Sequence, residues 1–139
     1  MTVENYLAEA GAFATLAGLL AGFSLTAVIQ FLVAENKNRF ITASIIVFSI
    51  STIMFTYSLI VSVLAFAATA ELNEVRAELD SISIGGFLVL VGAIFVFLGG
   101  IGLSGWIRSK AAGITTTLIA LITMCLTATA LWSVLSLFM

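Results

Sequence analysis

Charged residues fall in four short patches along the chain, and long apolar stretches separate them. The acids are Glu4, Glu9, Glu35, Glu71, Glu74, Glu78 and Asp80; the bases are Lys37, Arg39, Arg76, Arg108 and Lys110. Residues 10–34, 40–70, 82–107 and 111–139 contain no ionisable acid or base. Each stretch exceeds the ~20 residues that cross a bilayer core as helix. A single Asp, Lys or Arg at mid-membrane costs about 2.5–3.5 kcal/mol on the insertion scale, which explains why charges are excluded from such segments. The pattern predicts an all-α fold, an integral membrane bundle of four transmembrane helices. The spans fall at about 10–34, 40–70, 82–107 and 111–137, in one domain covering residues 1–139.

Within helix 1, Ala14, Gly18, Gly22, Thr26 and Gln30 recur at every fourth residue, with Gly11 and Thr15 beside them. At about 100° per residue this is a slowly winding stripe of small and polar side chains. Two readings stand open. The stripe is a helix-packing seam in which Gly18 and Gly22 form a GxxxG pair and Gln30 is hydrogen-bonded at the interface. Alternatively it lines a narrow pore through a ring of subunits, with Thr26 and Gln30 offering polar oxygens at the mouth.

The other helices carry packing patterns. Ser44, Ser51 and Ser58 recur every seven residues in helix 2, with Ser62 continuing the face. A heptad seam of this kind suits left-handed packing on a neighbour, and such serines commonly bond carbonyls of their own helix. Leu72, Val75, Leu79 and Ile82 keep helical spacing through the acidic patch. Helix 2 is therefore expected to extend beyond the bilayer and to turn near Asp80 and Ser81, either of which could cap helix 3. Helix 3 repeats Gly85, Gly92 and Gly99 at heptad intervals, which predicts close packing there. Trp106 with Arg108 and Lys110 marks a membrane interface. In helix 4 the run Thr115, Thr116 and Thr117, with Thr123, Thr127 and Thr129, reads as polar decoration of a packed span.

Composition narrows the function classes. Hydrophobic residues are 62% of the chain and charged ones 9%, against about 25% charged in a soluble domain. Mean hydropathy is +1.26. Four helices use the whole of these 139 residues, so activity is expected in the membrane, at its faces, or through partners. With no His, one Cys and no carboxylate inside a span, neither a catalytic triad nor an imidazole or thiolate metal site is expected. The expectation is no enzyme, no metal and no cofactor. Glu71, Glu74 and Glu78 could hold a divalent cation loosely, but a solvated acidic hairpin is the simpler account. Cys125 is alone, which leaves packing as its role. A net charge of −2 argues against nucleic acid. A cleavable leader is not expected, because the first apolar stretch is long and follows Glu4 and Glu9 instead of a basic segment.

The bases also predict orientation. Lys37, Arg39, Arg108 and Lys110 lie in the loops between helices 1–2 and 3–4, while Arg76 is the one base on the opposite side. The positive-inside bias then places both termini outside a plasma or inner cell membrane.

The run Leu19-Leu20-Ala21-Gly22-Phe23-Ser24-Leu25-Thr26-Ala27-Val28-Ile29-Gln30 resembles the pore helix of Orai store-operated calcium channels. The start of helix 4, Ala111-Ala112-Gly113-Ile114-Thr115-Thr116-Thr117-Leu118-Ile119, is similar to theirs as well, and the likeness covers about thirty residues. The resemblance implies a homo-oligomer, a hexameric ring in that family, with helix 1 around the axis. It sets Gln30 at the position of the selectivity glutamate, Thr26 at a hydrophobic-gate position, and Phe23 and Leu19 deeper along the pore. Gln30 carries no charge, so strong calcium selectivity is not implied. The family's basic segment before helix 1 and its helical C-terminal extension have no counterpart in this sequence, and its orientation is opposite to the one the charges predict.

The leading expectation is a homo-oligomeric ion channel, cation-conducting by resemblance, whose partners are copies of itself, the bilayer and the permeant ion. Its pore would be lined by Thr15, Leu19, Gly22, Phe23, Thr26 and Gln30. Alternatives are a non-conducting accessory subunit for a larger membrane partner, or a small exporter. The exporter lacks the titratable intramembrane group that proton coupling generally uses.

Overall fold

A computed structural model of the protein describes residues 2–35 and 38–136. It is all-helical: α1 spans Val3–Val33, α2 Arg39–Leu72, α3 Ala77–Arg108 and α4 Lys110–Leu135. All four are long and apolar enough to cross a membrane. The shortest, α4 with 26 residues, reaches ~39 Å against a hydrocarbon core of ~30 Å. The helices contain the second and third expected spans whole, and the first up to Val33, with Ala34 as the C-cap of α1. The fourth ends at Leu135, and residue 137 lies outside the described residues, as do Asn36 and Lys37 of the first loop.

Local chemistry sets the helix ends. Thr2 caps α1 by accepting from the Asn5 amide at 3.3 Å. Asn38 caps α2 through Phe40 at 3.3 Å, and Ser109 caps α4 through Ala112 at 3.1 Å. Each hydroxyl or amide oxygen fills one orphaned donor of a first turn. Ser109 is also the whole link between α3 and α4, in extended conformation.

The turn after α2 lies earlier than the sequence pattern placed it. Asn73 adopts a left-handed conformation, φ 51°, and α3 begins at Ala77 with Arg76 as its N-cap. Asn tolerates that region better than other side-chain-bearing residues, so it can stop a helix as glycine does. Leu79 and Ile82 therefore belong to α3, and Glu78 and Asp80 sit in its first turn. Negative charge is favourable there because it faces the positive end of the helix dipole. The periodicity across 72–82 is that of two helices that happen to stay in phase.

The centre of the molecule is α2. It packs on α1 on one side and on α3 on the other, whereas α4 packs on α3 alone. Apart from Val61, its buried positions Ile41, Ser44, Phe48, Ser51, Phe55, Ser58, Ser62, Ala65 and Thr69 alternate steps of three and four, the spacing of a heptad seam. Small residues face that seam from both neighbours. Ala10, Ala17 and Ser24 of α1 are buried at seven-residue intervals, and so are Gly86, Ala93 and Gly100 of α3. Phe55, Ala17, Leu90 and Ala93 form the core, with Phe13, Met54, Leu59 and Phe97 against them.

Two features of the packing within the protomer add to the sequence pattern. On the side of α3 that faces α2, the tightest glycines are Gly86 and Gly100, one residue beyond the Gly85, Gly92 and Gly99 register. A Cβ at Gly86 would come within 2.8 Å of Val61, and one at Gly100 within 3.0 Å of the Phe48 ring. At Gly85 it would meet nothing within 4 Å, at Gly92 only the Met54 methyl at 3.2 Å, and at Gly99 the Met124 methyl at 3.9 Å. The partners on α2 decide which of two adjacent heptads turns inward. Two of the buried hydroxyls, for their part, reach across helices instead of back along their own. Ser51 donates to the Ala93 carbonyl at 3.4 Å, and Ser24 donates to the Phe48 carbonyl at 2.8 Å. Ser44, Ser58 and Thr69 are buried without a hydrogen-bond partner among the described residues.

Candidate functional site: the outward face of α1

The buried side of α1 carries Tyr6, Ala10, Ala17, Ser24 and Val28. At about 100° per residue these cluster within one narrow arc. Thr15, Leu19, Gly22, Phe23, Thr26 and Gln30 fall in an arc on the opposite side, and all six are exposed. Leu19 is 59% exposed and Phe23 64%, so these large apolar side chains project outward beside the polar ones. Of the every-fourth-residue stripe, Gly18 belongs to intrachain packing, since a Cβ there would stand 2.9 Å from Leu59. Ala14 is half-buried. From Gly22 onward the stripe leaves the protein: nothing lies within 4 Å of a Cβ at Gly22.

Gly22 and Gln30 therefore take no part in the seam that α1 makes within the protomer. That role goes to Ala10, Ala17 and Ser24, because the smallest side chains that line up with the heptad of α2 are the ones that turn inward.

The hydroxyls on the outward face share one orientation. Thr15 Oγ1 donates to the Gly11 carbonyl at 2.9 Å, and Thr26 Oγ1 donates to the Gly22 carbonyl at 2.8 Å. Donation into the helix spends the proton and leaves the oxygen lone pairs available as acceptors, the polarity that suits a cation. Gln30 lies one turn before the end of α1 and makes no hydrogen bond among the described residues. Its amide offers both a donor and an acceptor. Across the hairpin, Arg39 opens α2 at that end of the molecule, and Arg108 and Lys110 flank the α3–α4 link at the same end.

A second polar cluster escaped the sequence reading. Where α3 meets α4, Thr116 Oγ1 donates within 3.1 Å of the Gly102 carbonyl, and Thr117 Oγ1 lies 3.3 Å from the same oxygen. The Trp106 indole N–H donates to Thr117 Oγ1 at 3.0 Å. Its ring covers Gly113, where a Cβ would clash with the indole, and stacks on Phe40 at 6.3 Å between centroids. Thr116 and Thr117 therefore fasten two helices and are not mere decoration. The available signal was the coincidence of Gly102, Gly105 and Gly113 with consecutive threonines and a Trp.

Comparison with protein-family models, with curated proteins and with solved structures returned no match. Among the described residues, no three His, Cys, Asp or Glu side chains are grouped so as to hold a metal ion. Glu74 instead pairs with Arg76.

Proposed function

We propose that this chain spans a membrane four times and assembles with copies of itself into an ion channel, with α1 lining the conducting path. One observation supports the reading above the others. The face of α1 that carries Thr15, Leu19, Gly22, Phe23, Thr26 and Gln30 is turned away from the rest of the chain. Its small-residue centre leaves room for another surface to approach. Threonine oxygens with free lone pairs and the Gln30 amide then provide an uncharged polar track beside the apolar Leu19 and Phe23, and uncharged oxygens of this kind can replace part of an ion's hydration shell. Gln30 lies near the mouth on the side of Arg39, Arg108 and Lys110, which the charge bias assigns to the cytoplasm of a plasma or inner membrane.

The test is single-channel recording from purified protein in planar bilayers. The expected result is a conductance whose cation preference rises with Gln30→Glu and whose amplitude changes with Gln30→Ala. Absence of current from a folded, monodisperse oligomer across ions and voltages would overturn the proposal.

A non-conducting accessory subunit is the second reading. It is favoured by the nearly complete exposure of α4, where only Gly113 and Ala120 are buried. Such a subunit would copurify with a stoichiometric larger partner.

A further inference from the structure

A cleft of about 430 Å³ opens between α1, α3 and the far end of α4. That volume lies in the range of small-molecule sites, roughly 300–1,000 Å³. It exists because α4 packs on α3 and not on α1. From the Thr116–Thr117 junction, α4 runs towards Leu131 and Val134 without packing on α1.

The lining is graded by depth. At the rim stand Glu9 of α1 and Asp80 of α3, both exposed. Beside them, Tyr6 donates to the Leu79 carbonyl at 3.3 Å and bonds Ser83, which ties the two walls together. The floor lies ten residues inside the helix ends, ~15 Å down. There Phe13 and Phe87 meet at 5.2 Å between ring centroids. Ser62 of α2 also lines the floor, 8% exposed and in none of the hydrogen bonds among the described residues.

From this arrangement we infer that the cleft binds a single-chain organic cation, an ammonium head at Glu9 and Asp80 with an apolar tail reaching Phe13 and Phe87. Charge complementarity decides the class. The lining holds two carboxylates and no base, and Arg76, the base at this end among the described residues, is engaged by Glu74. A phospholipid would bring its phosphate against the same two carboxylates, so the occupant is a phosphate-free cation. The inference does not depend on ion conduction.

The experiment uses the full chain in phosphatidylcholine nanodiscs, photolabelled with an alkyltrimethylammonium whose chain carries a diazirine. Mass spectrometry is expected to place the label on peptides containing Phe13, Phe87 or Leu131. Dodecyltrimethylammonium should compete, and dodecanol should not. The double variant Glu9→Gln/Asp80→Asn, at two exposed positions, should weaken labelling about tenfold, a factor of the size two partly solvated ion pairs supply. Ile84→Trp, which adds bulk from an exposed lining position, should abolish it. Four results would overturn the inference: label spread evenly over the outer surface, equal competition by dodecanol, displacement by added phosphatidylethanolamine, or labelling unchanged in both variants.

Discussion

Gly105 offers the sharpest test of how α3 and α4 are held together. In Gly105→Ala, the new Cβ would fall on Thr116 Oγ1 and stand 2.7 Å from the Ala112 carbonyl oxygen. The carbonyl is helix backbone, so relief requires the two helices to separate. Overpacking of this kind costs about 1–3 kcal/mol. Separation also weakens the Thr116 and Thr117 bonds to Gly102, at about 0.6 kcal/mol each in a membrane setting. Alanine returns about 1 kcal/mol through helix propensity. The net expectation is a loss of about 2 kcal/mol, roughly a thirtyfold shift in the unfolding equilibrium. Gly85→Ala is the matched control, because nothing lies within 4 Å of its Cβ, and it should gain up to about 1 kcal/mol. Reversible unfolding in mixed micelles of increasing dodecyl sulfate, followed by tryptophan emission, measures both, and Trp106 reports directly from the junction. If Gly105→Ala proves as stable as the parent or more so, the close approach described for α3 and α4 is wrong.

Other predictions follow from the same packing. Ser44→Ala and Ser58→Ala remove buried hydroxyls that have no partner among the described residues, so each should leave stability unchanged or raise it by up to about 1 kcal/mol. A clear loss in the same micelle titration would reveal a hidden partner. Asn73→Gly relaxes a left-handed backbone and should be neutral or slightly stabilising, whereas Asn73→Val should cost about 1–2 kcal/mol. Gly22→Leu places bulk where the protomer has open space; the monomer fold should survive in circular dichroism, while size-exclusion chromatography with light scattering should show the assembly lost. An unchanged oligomer would remove α1 from the centre of the assembly.

Charge placement made the four helices legible, because the cost of burying an ionised group is large and the spans are long. The caps were not read: Asp80 and Ser81, offered for α3, lie inside it, and Thr2, Asn38 and Ser109 went unnoticed. What sequence could not resolve was rotation about each helix axis. On α3, the triplets Gly85-Gly92-Gly99 and Gly86-Ala93-Gly100 have the same spacing, and only Val61, Ser51 and Phe48 opposite them select the second. On α1, the polar stripe and the Ala10-Ala17-Ser24 line share the same ambiguity. The turn at Asn73 was missed because Leu72, Val75, Leu79 and Ile82 keep helical phase across it. The outward set on α1 was recoverable as a group from its common face, though its direction was not.

The extended residue Ser109 makes α4 a lever with its fulcrum at one tip. The arm is 26 residues, ~39 Å long, so a 10° swing about that fulcrum carries the opposite tip through ~7 Å. A change too slight to break the threonine clasp near the fulcrum is thereby magnified at Leu131 and Val134. A swing of that kind would widen or narrow the gap at the end opposite Lys110.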